Sequence, residues 1–481
     1  MPAELLKEVQ RMAERLEQLE RRNVELERKL QATVTGSDPR LAQRVKILEE
    51  HNAKLEASLG DEHLLEAGPE LVTRLKAVEF QTLGMQKQAR TVAALEGVSA
   101  GVSFTSVAQR TNRGSTIDNT AESQFNYRTD ISVSLPTGTI GDAESKIFGH
   151  FRLGQGTGLG SLISTFSGPN TSAFQLRGVT QPADSAVMLA QAWYQADIPL
   201  PLGGFKPSSR EKLTINFGKM DPFVFFDQNA AANDETRQFL NNVFVHNALL
   251  DAGRNVGVDA YGFSPGLRIA YQNETHRPLT YGLSLGVFGA GPGAGFVKSF
   301  NAPFVIVQAE TQQKFLGGLT GNYRLYLWRN PQAPAYDNSL RSHHGVGLSV
   351  DQRVGDATTL FARFGRQFGA RSQFDRSLAV GGEFGGSYWQ RGADAVGMAF
   401  GVQRVSSDFR NESLTLDANG DGAPDFGYAA AGSEKVAELY YRYRINKQFE
   451  LTPDLQLVVR PAGKGTMPTL KMLGLRAQIT F

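Results

Sequence analysis

Apolar and polar residues alternate with a period of two from about residue 98 onward, whereas before it the apolar residues recur every three or four positions. The last segment shows the alternation most clearly. Leu473, Leu475, Ala477, Ile479 and Phe481 take turns with Gly474, Arg476, Gln478 and Thr480. Ala437, Leu439, Tyr441, Tyr443 and Ile445 alternate in the same way with Glu438, Tyr440, Arg442 and Arg444, and Leu267, Ile269 and Tyr271 with Arg268, Ala270 and Gln272. Earlier, Ile147, Gly149, Phe151 and Leu153 alternate with Phe148, His150 and Arg152. This spacing gives each strand one apolar and one polar face.

A soluble sandwich also alternates, so the number of strands and the lengths of their connections decide the class. Strands are predicted near 98–107, 125–135, 144–153, 186–198, 211–219, 263–272, 279–288 and 304–313. The rest fall near 316–329, 343–354, 358–367, 376–386, 394–406, 434–445, 449–460 and 470–481. Most approach the ~9–11 residues that a tilted membrane strand needs. Connections after odd-numbered strands are mostly long (154–185, 220–262, 330–342, 407–433). Those after even-numbered strands are mostly short, as at Lys314-Phe315, Gly355-Asp356-Ala357 and Asn446-Lys447-Gln448. Long loops on one side, tight turns on the other and an even strand count describe an outer-membrane barrel. In hydrocarbon every backbone group needs an internal partner, so strands span only as a closed cylinder. Tyr127, Phe151, Tyr271, Tyr281, Tyr323, Tyr443, Phe449 and Phe481 lie near strand ends, where they supply interfacial girdles. The expected fold is an all-β transmembrane barrel of about 16 antiparallel strands (97–481), preceded by an α-helical coiled coil (1–96).

In that leading part Leu5, Met12, Leu19 and Leu26 recur at d, and Val9, Leu16, Asn23 and Leu30 at a. Gly36-Ser37-Asp38-Pro39 interrupts the helix, and a second seam follows with Leu41, Leu48 and Leu55 at d and Val45, Asn52 and Leu59 at a. A seam this narrow is completed by copies of itself, and Asn23 and Asn52 fix register. The alternative is a charged solvent-exposed helix or linker. A further helical stretch is predicted over about 70–94. Both barrel termini belong on the short-turn, periplasmic side, so the coiled coil is expected in the periplasm. There it ties barrels into a homotrimer or spaces them from the cell wall.

Composition removes other classes. Fifty Lys plus Arg against 48 Asp plus Glu give a net charge of +2, which does not suit a nucleic-acid binder. The absence of Cys excludes disulfides, thiolate metal sites and a Cys nucleophile. Met1-Pro2-Ala3-Glu4 opens without a basic-then-apolar run, so no signal peptide is expected in this sequence. The charge-free runs 153–176 and 278–297 are too rich in Gly, Ser, Thr or Pro for membrane helices.

Sixteen strands leave an aqueous channel. Its polar wall is expected to carry His150, Arg152, Arg268, Glu310, Arg324, Asp351, Arg363, Glu383, Gln403, Glu438, Arg442, Arg444 and Arg476. The basic excess favours anions or hydroxyl-rich solutes, unless the arginines pair with carboxylates and stiffen the wall. The connection 220–262 is too aromatic for a solvated tail. Folded inward, it buries Phe223, Phe225, Phe226 and Phe239 and presents Asp227, Asn229, Asp234, Glu235 and Arg237 to a solute.

Two motifs carry a family resemblance. Gly218-Lys219-Met220-Asp221-Pro222-Phe223, Phe226-Asp227-Gln228-Asn229 and Asn233-Asp234-Glu235-Thr236-Arg237-Gln238-Phe239-Leu240-Asn241 resemble the constriction segment of the carbohydrate-selective porins, the OprB family. Glu438-Leu439-Tyr440-Tyr441, with Leu451-Thr452-Pro453-Asp454-Leu455-Gln456 and Arg460-Pro461-Ala462-Gly463, is similar to the penultimate hairpin of that family. The resemblance implies an outer-membrane porin for passive diffusion of sugars, with an inward loop and an arginine-rich eyelet. The coiled-coil extension instead resembles trimeric porins for dicarboxylates and other small anions.

Asp417, Asn419, Asp421 and Asp425 follow the oxygen-donor spacing of a calcium loop, although Tyr428 stands where an EF-hand places its bidentate Glu. The alternative is a polar surface loop. Ser103, Ser132 and His150 do not form a recognisable catalytic constellation, so no enzyme is expected. An adhesin anchor contributes few strands per chain, unlike this sequence.

Overall fold

The computed structural model describes residues 97–173, 185–203, 209–250, 263–277, 279–369 and 371–481, together with Glu50. The heptad seams, the helical stretch 70–94 and part of the long connection, 251–262, lie outside the described residues. The chain divides into two compact units, Met1–Val98 and Ser99–Phe481.

The second unit is a closed barrel of sixteen strands, each hydrogen-bonded to its neighbours in sequence. In order they are β1 (Ser99–Thr111), β2 (Ser123–Ile140), β3 (Ala143–Gln155), β4 (Ala186–Leu200), β5 (Glu211–Met220), β6 (Ser264–His276), β7 (Leu279–Phe288) and β8 (Phe304–Phe315). Then come β9 (Leu319–Pro334), β10 (Leu340–Gly355), β11 (Thr358–Phe368), β12 (Phe374–Gly385), β13 (Ala395–Val405), β14 (Ser433–Arg444), β15 (Phe449–Val459) and β16 (Leu470–Thr480). All pairs are antiparallel, and β1 closes on β16 with Ser103 opposite Thr480. Phe481 finishes the seam by exchanging backbone hydrogen bonds with Val102, at 2.8 and 3.2 Å.

Every predicted strand is present, with ends that local chemistry moves. The turn expected at Lys314-Phe315 sits instead at Leu316-Gly317-Gly318, because all three adopt positive φ (49°, 76° and 96°) and glycine supplies two of them. β2, β9 and β10 run to 18, 16 and 16 residues, beyond what a bilayer core requires. The Asn446 carboxamide accepts from the N–H groups of Gln448 and Phe449 at 2.9 and 2.8 Å, closing the β14–β15 turn as an Asx turn. Loop length sorts by side less strictly than expected. The 335–339 and 369–373 connections are short on the long-loop side, and 201–210 and 386–394 are longer on the other.

The alternation resolves into an apolar outer belt and a small or polar inner wall. Leu283, Leu285, Leu325, Leu327, Met398 and Phe400 point outward and are exposed. Their neighbours Ser284, Tyr326, Ala399 and Gln403 point inward and are buried. Ring pairs Tyr271–Tyr281, Phe315–Tyr323 and Tyr441–Tyr443 flank the short turns, as an interfacial girdle does. None of the described helices is long and apolar enough to cross a membrane.

Candidate functional site

Past β5 the chain turns into the lumen. The Asp221 carboxylate accepts from the Phe223 N–H at 2.9 Å and caps the turn Pro222–Val224. Burial raises that carboxyl above its ordinary range. Phe226, Phe239 and Phe244 are then fully buried between loop and wall. The wall makes room with inward glycines. A Cβ on Gly286 of β7 would lie 2.7 Å from the Phe226 ring, one on Gly365 of β11 2.5 Å from the Asn247 carboxamide, and one on Gly401 of β13 2.7 Å from Val243. His246 packs on the Phe223 ring at 4.2 Å. Its burial, reinforced by Arg363, lowers the imidazole to about 4, so it is neutral near pH 7.

Polar anchors complete the seat. Arg363 of β11 gives Nε to Asp227 Oδ1 (3.0 Å), Nη1 to the Phe244 carbonyl (2.7 Å), and Nη2 to the carbonyls of Asp227 (2.9 Å) and Ala232 (3.0 Å). Tyr326 of β9 donates to the same carboxylate at 2.7 Å. On β14, Glu438 accepts the N–H groups of Leu240 and Asn241 at 2.5 and 3.0 Å. Two side-chain periods away on the same face, Glu434 receives Phe166, Ser167 and Ala462 N–H groups at 2.8, 2.8 and 2.7 Å. The first two belong to a second inward segment, in the 156–185 connection, which braces the first through Thr171 N–H to the Leu240 carbonyl (2.9 Å) and Asn242 N–H to the Gly168 carbonyl (3.0 Å). A buried carboxylate receiving several N–H groups is strongly favoured over one left unpartnered.

The tip of the loop reaches β14, β15, β16 and β2. Asp234 caps it by accepting from Thr236 N–H at 2.9 Å. Glu235 accepts from Arg128 of β2 at 2.9 Å, while its carbonyl accepts from Arg476 of β16 at 2.9 Å. Burial works against the ionised form of Glu235, but the guanidinium groups of Arg128 and Arg152 outweigh it and hold the carboxyl below its ordinary range. Asp130 binds Arg128, Arg152 and His150 at 2.8, 2.7 and 2.8 Å. Across the tip, Arg237 pairs with Glu450 at 2.6 Å and Arg442 with Glu383 at 3.0 Å.

Of the residues expected to line the passage, Arg152, Asp234, Glu235, Arg237, Arg324, Glu383, Arg442 and Arg444 keep partial exposure to the lumen. Asp227, Asn229, Arg363, Glu438 and Arg476 do not present themselves to a solute. All are at most 5% exposed, because loop and wall close over one another there and use these hydrogen bonds between themselves. Arg268 is nearly buried. It bonds Asn216 and Ser284 at 3.1 and 3.2 Å, lies 5.1 Å over the Phe225 ring, and has no carboxylate within ion-pair distance among the described residues. Of the expected arginines, Arg152, Arg237, Arg324, Arg363 and Arg442 stand in close ion pairs. Sequence reasoning missed Arg128, Asp130 and Glu450, although the same period of two turns all three inward. It also missed Glu434, which the same period turns inward but whose role has no local signal, since two of its partners lie 268 and 267 residues away.

Asp417, Asn419, Asp421 and Asp425 meet on one exposed loop. Asp417 accepts from the N–H groups of Gly420 and Gly422 at 2.7 and 2.8 Å, and Asp425 from Ala418 N–H at 2.7 Å. Among the described residues no group of three or more His, Asp or Glu is placed to hold a metal ion.

A family model described as "Carbohydrate-selective porin, OprB family" matches residues 72–481. A search of curated proteins finds no match. Among solved structures, the high-pH structure of Pseudomonas putida OprB is 20% identical, with a TM-score of 0.65 over 82% of this chain and 96% of that one. The Acinetobacter baumannii outer membrane channel DcaP is 13% identical, with a TM-score of 0.46 over 80% of this chain and 97% of that one. The first likeness shows the sixteen-stranded porin fold.

Proposed function

The chain belongs to the carbohydrate-selective porin family, OprB, and on that premise we propose that its lumen passes small neutral hydroxyl-rich solutes, carbohydrates above all, by passive and partly selective diffusion. It is an outer-membrane diffusion channel rather than an enzyme. The observation that carries the solute class is charge matching. Arg128, Arg152, Arg237, Arg324, Arg363 and Arg442 each have a carboxylate between 2.6 and 3.0 Å away. Paired charges cancel at a distance and draw few anions, yet the remaining guanidinium N–H groups still donate and the carboxylates still accept. A hydroxyl does both. Bilayer conductance with competing glucose and succinate tests this. Glucose is expected to reduce the current at concentrations where succinate does not, and the reverse ranking would reject it.

Arg268, without a carboxylate partner among the described residues, favours a second reading, a passage for dicarboxylates or other small anions. The heptads support a periplasmic coiled coil over 1–96 that ties barrels into a homotrimer. Sizing of a variant lacking residues 1–95 tests that role, and an unchanged oligomer would remove it.

A further inference from the structure

Below the constriction, toward the short-turn end, β6 to β9 line a recess of about 200 Å³. Its roof is Gln228 of the inward loop, and its wall carries Gln272, Thr280, Glu310, Gln312, Asn322 and Arg324. We infer that this recess is a binding subsite for a neutral polyhydroxylated solute leaving the constriction on the periplasmic side. The inference rests on the carbohydrate reading above and gives it a location.

Three features argue for it. The first is unspent hydrogen-bonding capacity. Among the described residues the Gln272 carboxamide and the Thr280 hydroxyl have no partner, and Glu310 uses only Oε2, which accepts from Gln308 at 3.1 Å. Donors and acceptors therefore stand together around one space, which suits a molecule whose every hydroxyl is both.

The second feature is rigidity. Asp351 holds Arg324 at 3.0 Å and Asn322 at 2.6 Å, and Asn322 in turn accepts from Gln312 at 3.2 Å. Glu310 lies over Gly282, where a Cβ would come within 3.1 Å of its side chain, so the glycine provides the depth. Groups fixed beforehand lose little freedom on binding.

The third is charge. Arg324 is set against two carboxylates, Asp351 at 3.0 Å and Glu310 at 3.9 Å. Glu274 at the rim is already paired with Arg277. A dicarboxylate here would only accept hydrogen bonds and would meet Glu310 and Asp351, two carboxylates set against the one Arg324.

The test is current blockade of the full-length porin in planar bilayers, with glucose or succinate added on the short-turn side. Glu310→Ala is expected to raise the half-blocking glucose concentration about tenfold, and Gln272→Ala about threefold, on the usual worth of charged and neutral hydrogen bonds. Glu310→Gln, which keeps the shape and removes the charge, is expected to strengthen block by succinate. Open-channel current in the same records shows that each variant has folded. If glucose blocks the parent protein and both alanine variants remain within twofold of it, the subsite is rejected while the carbohydrate reading stands. If succinate but not glucose blocks the parent protein, both are rejected.

Discussion

The inner wall has two regions of similar residue types and opposite behaviour. Where the inward loop crosses, from β8 round to β2, arginines, carboxylates and amides are used on one another and on loop backbone. In the recess between β6 and β9 the same kinds of group keep free hydrogen-bonding capacity. The polar face of a barrel strand therefore does two jobs that composition cannot separate. Part of it is mortar for the loop, and part is left for whatever passes. Position relative to the loop decides which, because a loop lying on the wall replaces water as hydrogen-bond partner.

The contrast can be broken most forcefully at the buried Asp227–Arg363 pair. Asp227→Ala leaves a guanidinium buried without its carboxylate, which costs about 3–5 kcal/mol. Amide exchange over 226–250 is expected to rise sharply and the conductance to increase. Unchanged exchange would mean that the anchoring is decorative. A steric version comes next. Gly365→Leu fills the socket of Asn247, and overpacking of this kind costs about 1–3 kcal/mol. The expected result is a displaced loop, read as altered conductance and lowered thermal stability, whereas Gly295→Leu, with no atom within 4 Å of its Cβ position, is expected to change neither.

The smallest effect sharpens the contrast through pH. Because the Glu235 carboxyl is held below its ordinary range in the fold, its contribution is complete above the unfolded value of about 4.3. It is lost as pH falls through the lower value of the folded state. Exchange at 233–238 is expected to rise on acidification in that window, and Glu235→Gln is expected to flatten the dependence.

How much of this was legible in the sequence follows from the range of each interaction. The strands were legible because a two-residue period is local, and even the misplaced turn at 316–318 differs only by where glycine permits positive φ. The inward course of 221–250 was legible from its aromatics. The fate of individual side chains was not. Arg363 and Arg324 look alike on their strands, yet one is fastened to the loop and the other stands at the recess. The second inward segment was missed for the same reason, since its anchor Glu434 is distant in sequence. A partial clue was available in the inward glycines of β7, β11 and β13, which mark where another part of the chain must approach closely.

Glu434 and Glu438 lie on the fourteenth of sixteen strands, whereas the backbone groups they hold in the two inward segments lie 197 to 268 residues upstream. During assembly, then, neither inward segment has its full mooring until nearly the whole cylinder has been laid down. Contacts of such long range form late because the closure entropy comes before any reward. The passage is accordingly narrowed only once both ends of that range are in place, and a barrel stalled short of either would lack the gauge that its finished form possesses.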